Sequence, residues 1–192
     1  MRRGGARSRR SHLSHGEDHE LVREIAAGDR RAFHALVEKH GGPLYRFILR
    51  QVGRPAVAEE LLQEALLRAY RAAPTFEPRA AVSTWLFRIA ANLCSNEAQS
   101  ARSRYEIVAE PPELAAAQAD PAKVLEQKEL SAAVEAALAA LPPQQRAAVQ
   151  LARFEGLSYA EVAEVLGVSV GAVDGLLQRA RRTLRMQLRH LA

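Results

Sequence analysis

Cysteine occurs once in these 192 residues, at Cys94. One thiol cannot close an internal disulfide and falls short of a structural zinc site, so a buried structural role is its default reading. The histidines, His12, His15, His19, His34, His40 and His190, show no metal-ligand spacing with carboxylates, and no glycine-rich loop is arranged to cradle a phosphate. No metal, no other cofactor and no catalytic residue is expected, so the chain does not read as an enzyme. No apolar run is long enough to cross a bilayer, and the opening stretch lacks the apolar segment of a signal peptide. A cytoplasmic protein without membrane insertion follows. Strand-like alternation is missing as well, which points to an all-α fold.

What remains is a foldable, basic chain. Its hydrophobic content of 48% is enough for real cores, and a formal charge of +5 suits a nucleic-acid partner, although a basic surface without a ligand would look the same. Arg2, Arg3, Arg7, Arg9 and Arg10 supply much of the excess, and residues 1–16 read as a disordered basic arm. Two small helical domains are expected, over 17–104 and 131–192. In the first, a helix ends at Gly28 and Asp29 caps a second that stops at Gly41 and Gly42. Pro43 then opens a third, Pro55 opens a fourth running to about Ala72, and Ser83 or Thr84 starts a fifth. Between them, residues 105–130 carry six acidic side chains against two lysines, with Pro111, Pro112 and Pro121. At up to ~3.5 Å per residue this flexible acidic linker could hold the two blocks several tens of ångströms apart.

Residues Ser158 to Arg182 carry the densest pattern. Ser158 stands three residues before Glu161, a capping box that marks a helix start, with Val162 and Leu166 on its buried face. Ala163 falls where two steeply crossed helices need a small side chain, Gly167 where a tight turn needs positive φ, and Ser169 where a second helix needs a cap. Val173, Leu176 and Leu177 then recur at helical spacing, followed by Arg179, Arg181, Arg182, Arg185 and Arg189 without an intervening acid. A helical hairpin with a solvated arginine face would share the charge run, but the small, glycine and apolar positions together specify a helix-turn-helix. Such a module places its second helix in a DNA major groove.

The first block holds a second set of signals. Glu59, Glu60, Gln63 and Glu64 recur along one face of the fourth helix, a pattern that ordinarily means only a solvated surface. Phe76, Trp85, Phe87 and Tyr70 gather near Arg71, Arg79 and Arg88, a composition suited to stacking on unpaired bases. Trp85 and Phe87 would serve equally as core residues.

Taken in order, Glu59-Glu60-Leu61-Leu62-Gln63-Glu64, then Ser83-Thr84-Trp85-Leu86-Phe87-Arg88-Ile89-Ala90-Ala91-Asn92, then the helix-turn-helix ending Leu177-Gln178-Arg179-Ala180-Arg181-Arg182, resemble an extracytoplasmic-function (ECF), RpoE-like sigma factor of the sigma-70 family. The resemblance runs from Glu17 to Leu188. It implies an alternative bacterial sigma factor, with 17–104 as sigma region 2 and 131–192 as sigma region 4. The face of Glu60, Gln63 and Glu64 would dock on the clamp helices of the largest subunit of core RNA polymerase. Phe76, Arg79, Trp85, Arg88 and Asn92 would melt promoter DNA at the minus-ten element and hold a flipped base. Tyr159, Asp174, Gln178, Arg179, Arg181 and Arg182 would contact the minus-thirty-five element as duplex. An anti-sigma factor is the implied restraint, and polymerase performs the chemistry.

Departures from the family pattern cluster on the second helix of the helix-turn-helix. Asp174, Gly175 and Leu176 stand where many members carry a basic residue, a serine and another basic residue, so base reading shifts toward Gln178 and Arg179, while Asp174 could accept from a cytosine amino group. The competing reading, a helix-turn-helix regulator acting without promoter melting, would explain Ser158 to Arg182 but leave the acidic helix and the tryptophan segment without a purpose.

Overall fold

The computed structural model describes residues 5–78, 80–104 and 131–189, and the described residues are helical with no strand among them. The linker 105–130 and Arg79 lie outside them. The first block comprises α1 (Gly5–Ala26), α2 (Arg30–Val52), α3 (Pro55–Ala72) and α4 (Val82–Arg104), with a 3-10 turn at Ala73–Thr75. The second comprises α5 over 131–139, α6 (Pro143–Val149), a π-turn (Gln150–Phe154), α7 (Tyr159–Leu166) and α8 (Val170–Gln187).

Most boundaries follow local chemistry. Asp29 caps α2 by accepting from the Arg31 amide at 2.7 Å, and Pro55 occupies the first turn of α3, where a missing N–H costs nothing. Two expectations fail. Helical backbone begins at Gly5, inside the stretch 1–16 read as a disordered arm; no proline precedes Pro43, and the alanine, leucine and arginines there all favour helix. The expected break at Gly41-Gly42-Pro43 does not occur either, because α2 runs through all three as one helix. The interruption costs about 3 kcal/mol for the proline and about 1 for each glycine. Leu36, Leu44, Phe47 and Ile48 are buried in one helical phase across the break, at roughly 1.5–3 kcal/mol each, so packing outweighs propensity.

The first core is closed by Phe47 meeting Phe87 edge to face at 5.4 Å, linking α2 to α4. Asp18 ties α1 to α2 from a buried position: it accepts from His40 Nε2 at 3.2 Å and lies 2.6 Å from Lys39 Nζ. Burial alone would raise its pKa, but these partners outweigh that and hold the carboxyl below its usual range.

The two blocks pack directly on each other, their buried apolar side chains forming one continuous core with a polar joint beside it. Arg146, on α6, donates from Nη1 to the carbonyls of Arg50 (2.9 Å) and Gln51 (3.2 Å), and from Nη2 to those of Ala139 (2.7 Å) and Leu141 (3.0 Å). These are carbonyls left over at the C-terminal ends of α2 and α5, where a cation also meets the negative pole of each helix. Beside it, the Arg50 guanidinium grips Glu135 through both carboxylate oxygens (2.9–3.2 Å) while lying 4.5 Å from the centre of the Phe154 ring. Gln51 donates to the buried Gln150 at 2.9 Å.

Arg146→Met removes the donor to two carbonyls across the joint, a loss on the order of 2 kcal/mol there. Calorimetry should then show the single unfolding transition of the parent chain divide into two, with a larger radius of gyration by X-ray scattering. One unshifted transition at unchanged radius would show that the joint does not couple the blocks.

Candidate nucleic-acid and protein interfaces

Three surfaces carry the residues singled out from the sequence. On α3, Glu60 and Gln63 are exposed and Glu64 is half-buried, bonded by Arg68 Nε at 2.6 Å. Helical spacing puts Leu67 and Arg71 on the same face. Leu67, 41% exposed, is an apolar side chain in the middle of a polar stripe. The sequence reading passed over it because an isolated leucine in an amphipathic helix defaults to the core.

The second surface is the loop residues 76–78 and 80–81 with the start of α4. Phe76 is half-buried, and its ring centre lies 4.7 Å from that of Trp85 and 5.7 Å from that of His19. His19 Nε2 bonds the carbonyl of Ala80 at 3.1 Å; a carbonyl only accepts, so Nε2 carries the proton. The loop is thereby anchored to α1. Trp85 is 7% exposed and Phe87 is buried, so both rings are packed inside the block in this arrangement. Arg88 and Asn92 are exposed. Cys94 sits deeper on α4, and burial pushes its thiol up to about 12.

This surface is covered in part by the second block, which leaves Arg88 and Asn92 exposed. Helix α7 packs on α4, with Thr84 Oγ1 3.4 Å from Glu161 Oε1 and Arg88 Nη1 3.7 Å from Glu164 Oε1. Glu161 is the same residue that closes the capping box: its carboxylate accepts from the Ser158 amide at 2.8 Å, and Ser158 Oγ accepts from the Glu161 amide at 3.3 Å. One carboxylate therefore both starts α7 and touches α4.

The third surface is the helix-turn-helix itself, α7 and α8. Gly167 adopts φ +64° in the turn, Ala163 is buried at the crossing, and Ser169 caps α8 by accepting from the Ala172 amide at 3.2 Å. Val173, Leu176, Leu177 and Ala180 face inward. Tyr159, Asp174, Gln178, Arg179, Arg181 and Arg182 are all exposed, and Asp174, Gln178, Arg181, Arg182 and Arg185 share one stripe of α8. Within it Gln178 Nε2 donates to Asp174 Oδ2 at 2.7 Å. The groove behind that stripe has no signal in the sequence. There Leu177, Leu184 and Leu188 form an apolar floor beside Arg153, Arg185 and Arg189. The floor draws on three separate turns and signals itself only once α6 is in place.

Comparison with known proteins agrees with this geometry. Residues 36–104 match the family described as Sigma-70 region 2, and residues 131–184 match Sigma-70, region 4. The chain is 37% identical over 174 residues to the ECF RNA polymerase sigma factor SigM of Mycobacterium tuberculosis, covering 91% of this chain and 86% of that one. It is 33% identical over 188 residues to the RNA polymerase sigma-H factor of Pseudomonas aeruginosa, covering 93% and 97%. The chain belongs to the ECF sigma factors. Among solved structures, CnrH in complex with the cytosolic domain of CnrY superimposes at a TM-score of 0.67 with 28% identity, covering 92% of this chain and 99% of that one. The sigma factor RpoE of Bartonella quintana, solved with the anti-sigma factor NepR, gives 0.65 with 25% identity, covering 82% and 96%.

In this sigma factor α8 contains a glycine, Gly175, where an α-helix disfavours one. A Cβ there would stand 3.3 Å from Arg179 Nη1, so the glycine makes room for the Arg179 guanidinium to lie back along the helix. Gly175→Ala should therefore raise stability by about 0.5–1 kcal/mol and displace Arg179, weakening duplex binding. Thermal melting and salt-titrated duplex binding check the pair of effects. Lower stability with unchanged binding would refute the packing argument.

Proposed function

We propose that this sigma factor binds core RNA polymerase through the α3 face of Glu60, Gln63, Glu64 and Leu67. In the same reading the loop 76–81 and α4 melt promoter DNA, and α8 reads the duplex upstream. The observation that carries the reading is the pattern of exposure. The α3 face and the α8 stripe are both open in the chain alone, whereas the α4 surface, which has work to do only at a melted promoter, has α7 packed against it at Thr84 and Arg88 while Asn92 stays exposed. Carboxylates Glu161 and Glu164 lie where Thr84 and Arg88 would otherwise meet DNA, so the packed arrangement and minus-ten DNA compete for one surface. Opening the joint releases both blocks, and the acidic linker has the length to let them part.

Restraint by an anti-sigma factor fits the same geometry. The relatives CnrH and RpoE were solved with CnrY and NepR respectively. A partner that spans both blocks of this chain would keep α7 on α4 by mass action, since it binds the packed form alone. The location that fits this activity is the cytoplasm, where polymerase and promoter meet; no described helix is long and apolar enough to cross a membrane.

Two experiments test the assignment. Gln63→Lys combined with Glu64→Lys reverses the polarity of an exposed face and costs the fold less than about 1 kcal/mol, yet should abolish co-purification with core polymerase. Retention of full binding would remove α3 as the docking face. Asn92→Ala, at an exposed position, should slow open-complex formation several-fold on closed duplex and little on a template already mismatched at the minus-ten element, where less unpairing has to be offset. Equal loss on both templates would assign Asn92 a role outside melting. Trp85→Ala is the weaker probe because Trp85 also fills the core.

A further inference from the structure

The stripe on α8 contains one acidic residue among its arginines. An aspartate facing DNA repels phosphates, so its presence calls for a compensating role. Asp174 is exposed, in the N-terminal half of the second helix, the part of a helix-turn-helix that meets base edges. It does not stand free: Gln178, one turn on, donates from Nε2 to Asp174 Oδ2 at 2.7 Å.

This bond decides which way the glutamine amide points. An ionised carboxylate only accepts, so the NH2 of Gln178 faces Asp174 and the amide cannot flip without losing the bond. One Nε2 proton is used. When the proton anti to Oε1 makes this bond, the syn proton and Oε1 are left as a donor beside an acceptor on one edge. Adenine presents the complement in the major groove, the N7 acceptor beside the N6 amino donor. Guanine presents two acceptors, N7 and O6. A glutamine amide with both protons free could offer donors to it, but one with a proton committed to Asp174 sets Oε1 against O6.

We propose that Asp174 is a positioning residue that fixes Gln178 as a reader of adenine in the minus-thirty-five duplex. The proposal rests on the reading of α8 as the duplex-recognition helix. Arg181, Arg182 and Arg185 on the same stripe supply the phosphate attraction that offsets the aspartate, and the rotamer freedom of the glutamine is already reduced before DNA arrives. The departure from the family pattern at Asp174 is then a change of specificity: the helix exchanges a basic groove contact for an oriented amide.

The test is selection of bound duplexes from a pool randomised across the minus-thirty-five window, using the full-length chain assembled with core polymerase. The parent chain should enrich adenine at one position by on the order of tenfold. Gln178→Ala should remove that preference. Asp174→Ala should reduce it to about twofold while raising affinity for all duplexes, and Asp174→Asn, which keeps an acceptor, should restore it. Substituting 7-deazaadenine at the selected position should reduce the parent's adenine preference to about that of the Asp174→Ala variant. Adenine preference undiminished in Asp174→Ala would overturn the proposal, leaving the pair as a surface contact of the helix. A cytosine preference that vanishes in both Asp174 variants would overturn it in favour of direct reading by the aspartate. No enrichment at any position, with binding still abolished by Arg181→Ala and Arg182→Ala, would mean that α8 only grips phosphates, and the duplex-reading assignment would fail together with the proposal.

Discussion

The packed form depends on one guanidinium. Arg146 satisfies carbonyls at the ends of two helices from different blocks, and burial lowers its pKa without a carboxylate directly opposite it. Such a group is costly to desolvate and returns that cost only while both helix ends are present. The arrangement is therefore closer to all-or-none than to a sliding contact. When the blocks separate, the carbonyls of Arg50 and Gln51 lose their donor, while Arg146 keeps its local bonds to Ala139 and Leu141. A joint of this kind is stable against partial loosening and reversible against complete opening.

The second contact, α7 on α4, differs in strength. Arg88 and Glu164 are each about half-exposed, and ion pairs of that kind contribute ~0–1 kcal/mol. Thr84 is buried and its hydroxyl is 3.4 Å from Glu161, at the long end of hydrogen-bond distance. The Arg146 joint thus carries the stronger polar contacts between the blocks, and the α7 contact lies on the face that the promoter would use. Glu155 belongs to the joint as well: its carboxyl is raised by burial, against the pull of Arg46 and Arg50. Holding force and functional surface sit on different elements, which allows one to change without the other.

Local signals were legible in the sequence, and non-local ones were not. The capping box at Ser158 and Glu161, the Ser169 cap, the Gly167 turn and the start of α3 at Pro55 appear where their residues predict, because each depends on neighbours within a few positions. Gly41-Gly42-Pro43 misleads for the converse reason: its local propensity is real, but α2 is held helical through it by contacts from α1, α3 and α4. Arg146 and the Arg50–Glu135 pair had no signature at all. Arg50 and Glu135 are 85 residues apart, and nothing in either neighbourhood distinguishes them from solvated charges. The same holds within the surfaces. Exposure of Leu67 and burial of Trp85 are properties of packing, while the bond from Gln178 to Asp174 was implicit in their i, i+4 spacing and gains meaning only once α8 is known to be the outward helix.

The central claim is that the chain alone holds its two blocks together and that polymerase separates them. Distance measurement between fluorophores on cysteines introduced at the exposed positions Glu24 on α1 and Met186 on α8 addresses it directly. Cys94 stays unlabelled because its buried thiol is pushed up to about 12. The free chain should give one short-distance population, and addition of core polymerase should convert it to a longer one in proportion to the amount bound. A distance distribution that core polymerase binds without changing, or a free chain already as extended as the bound one, would contradict the account.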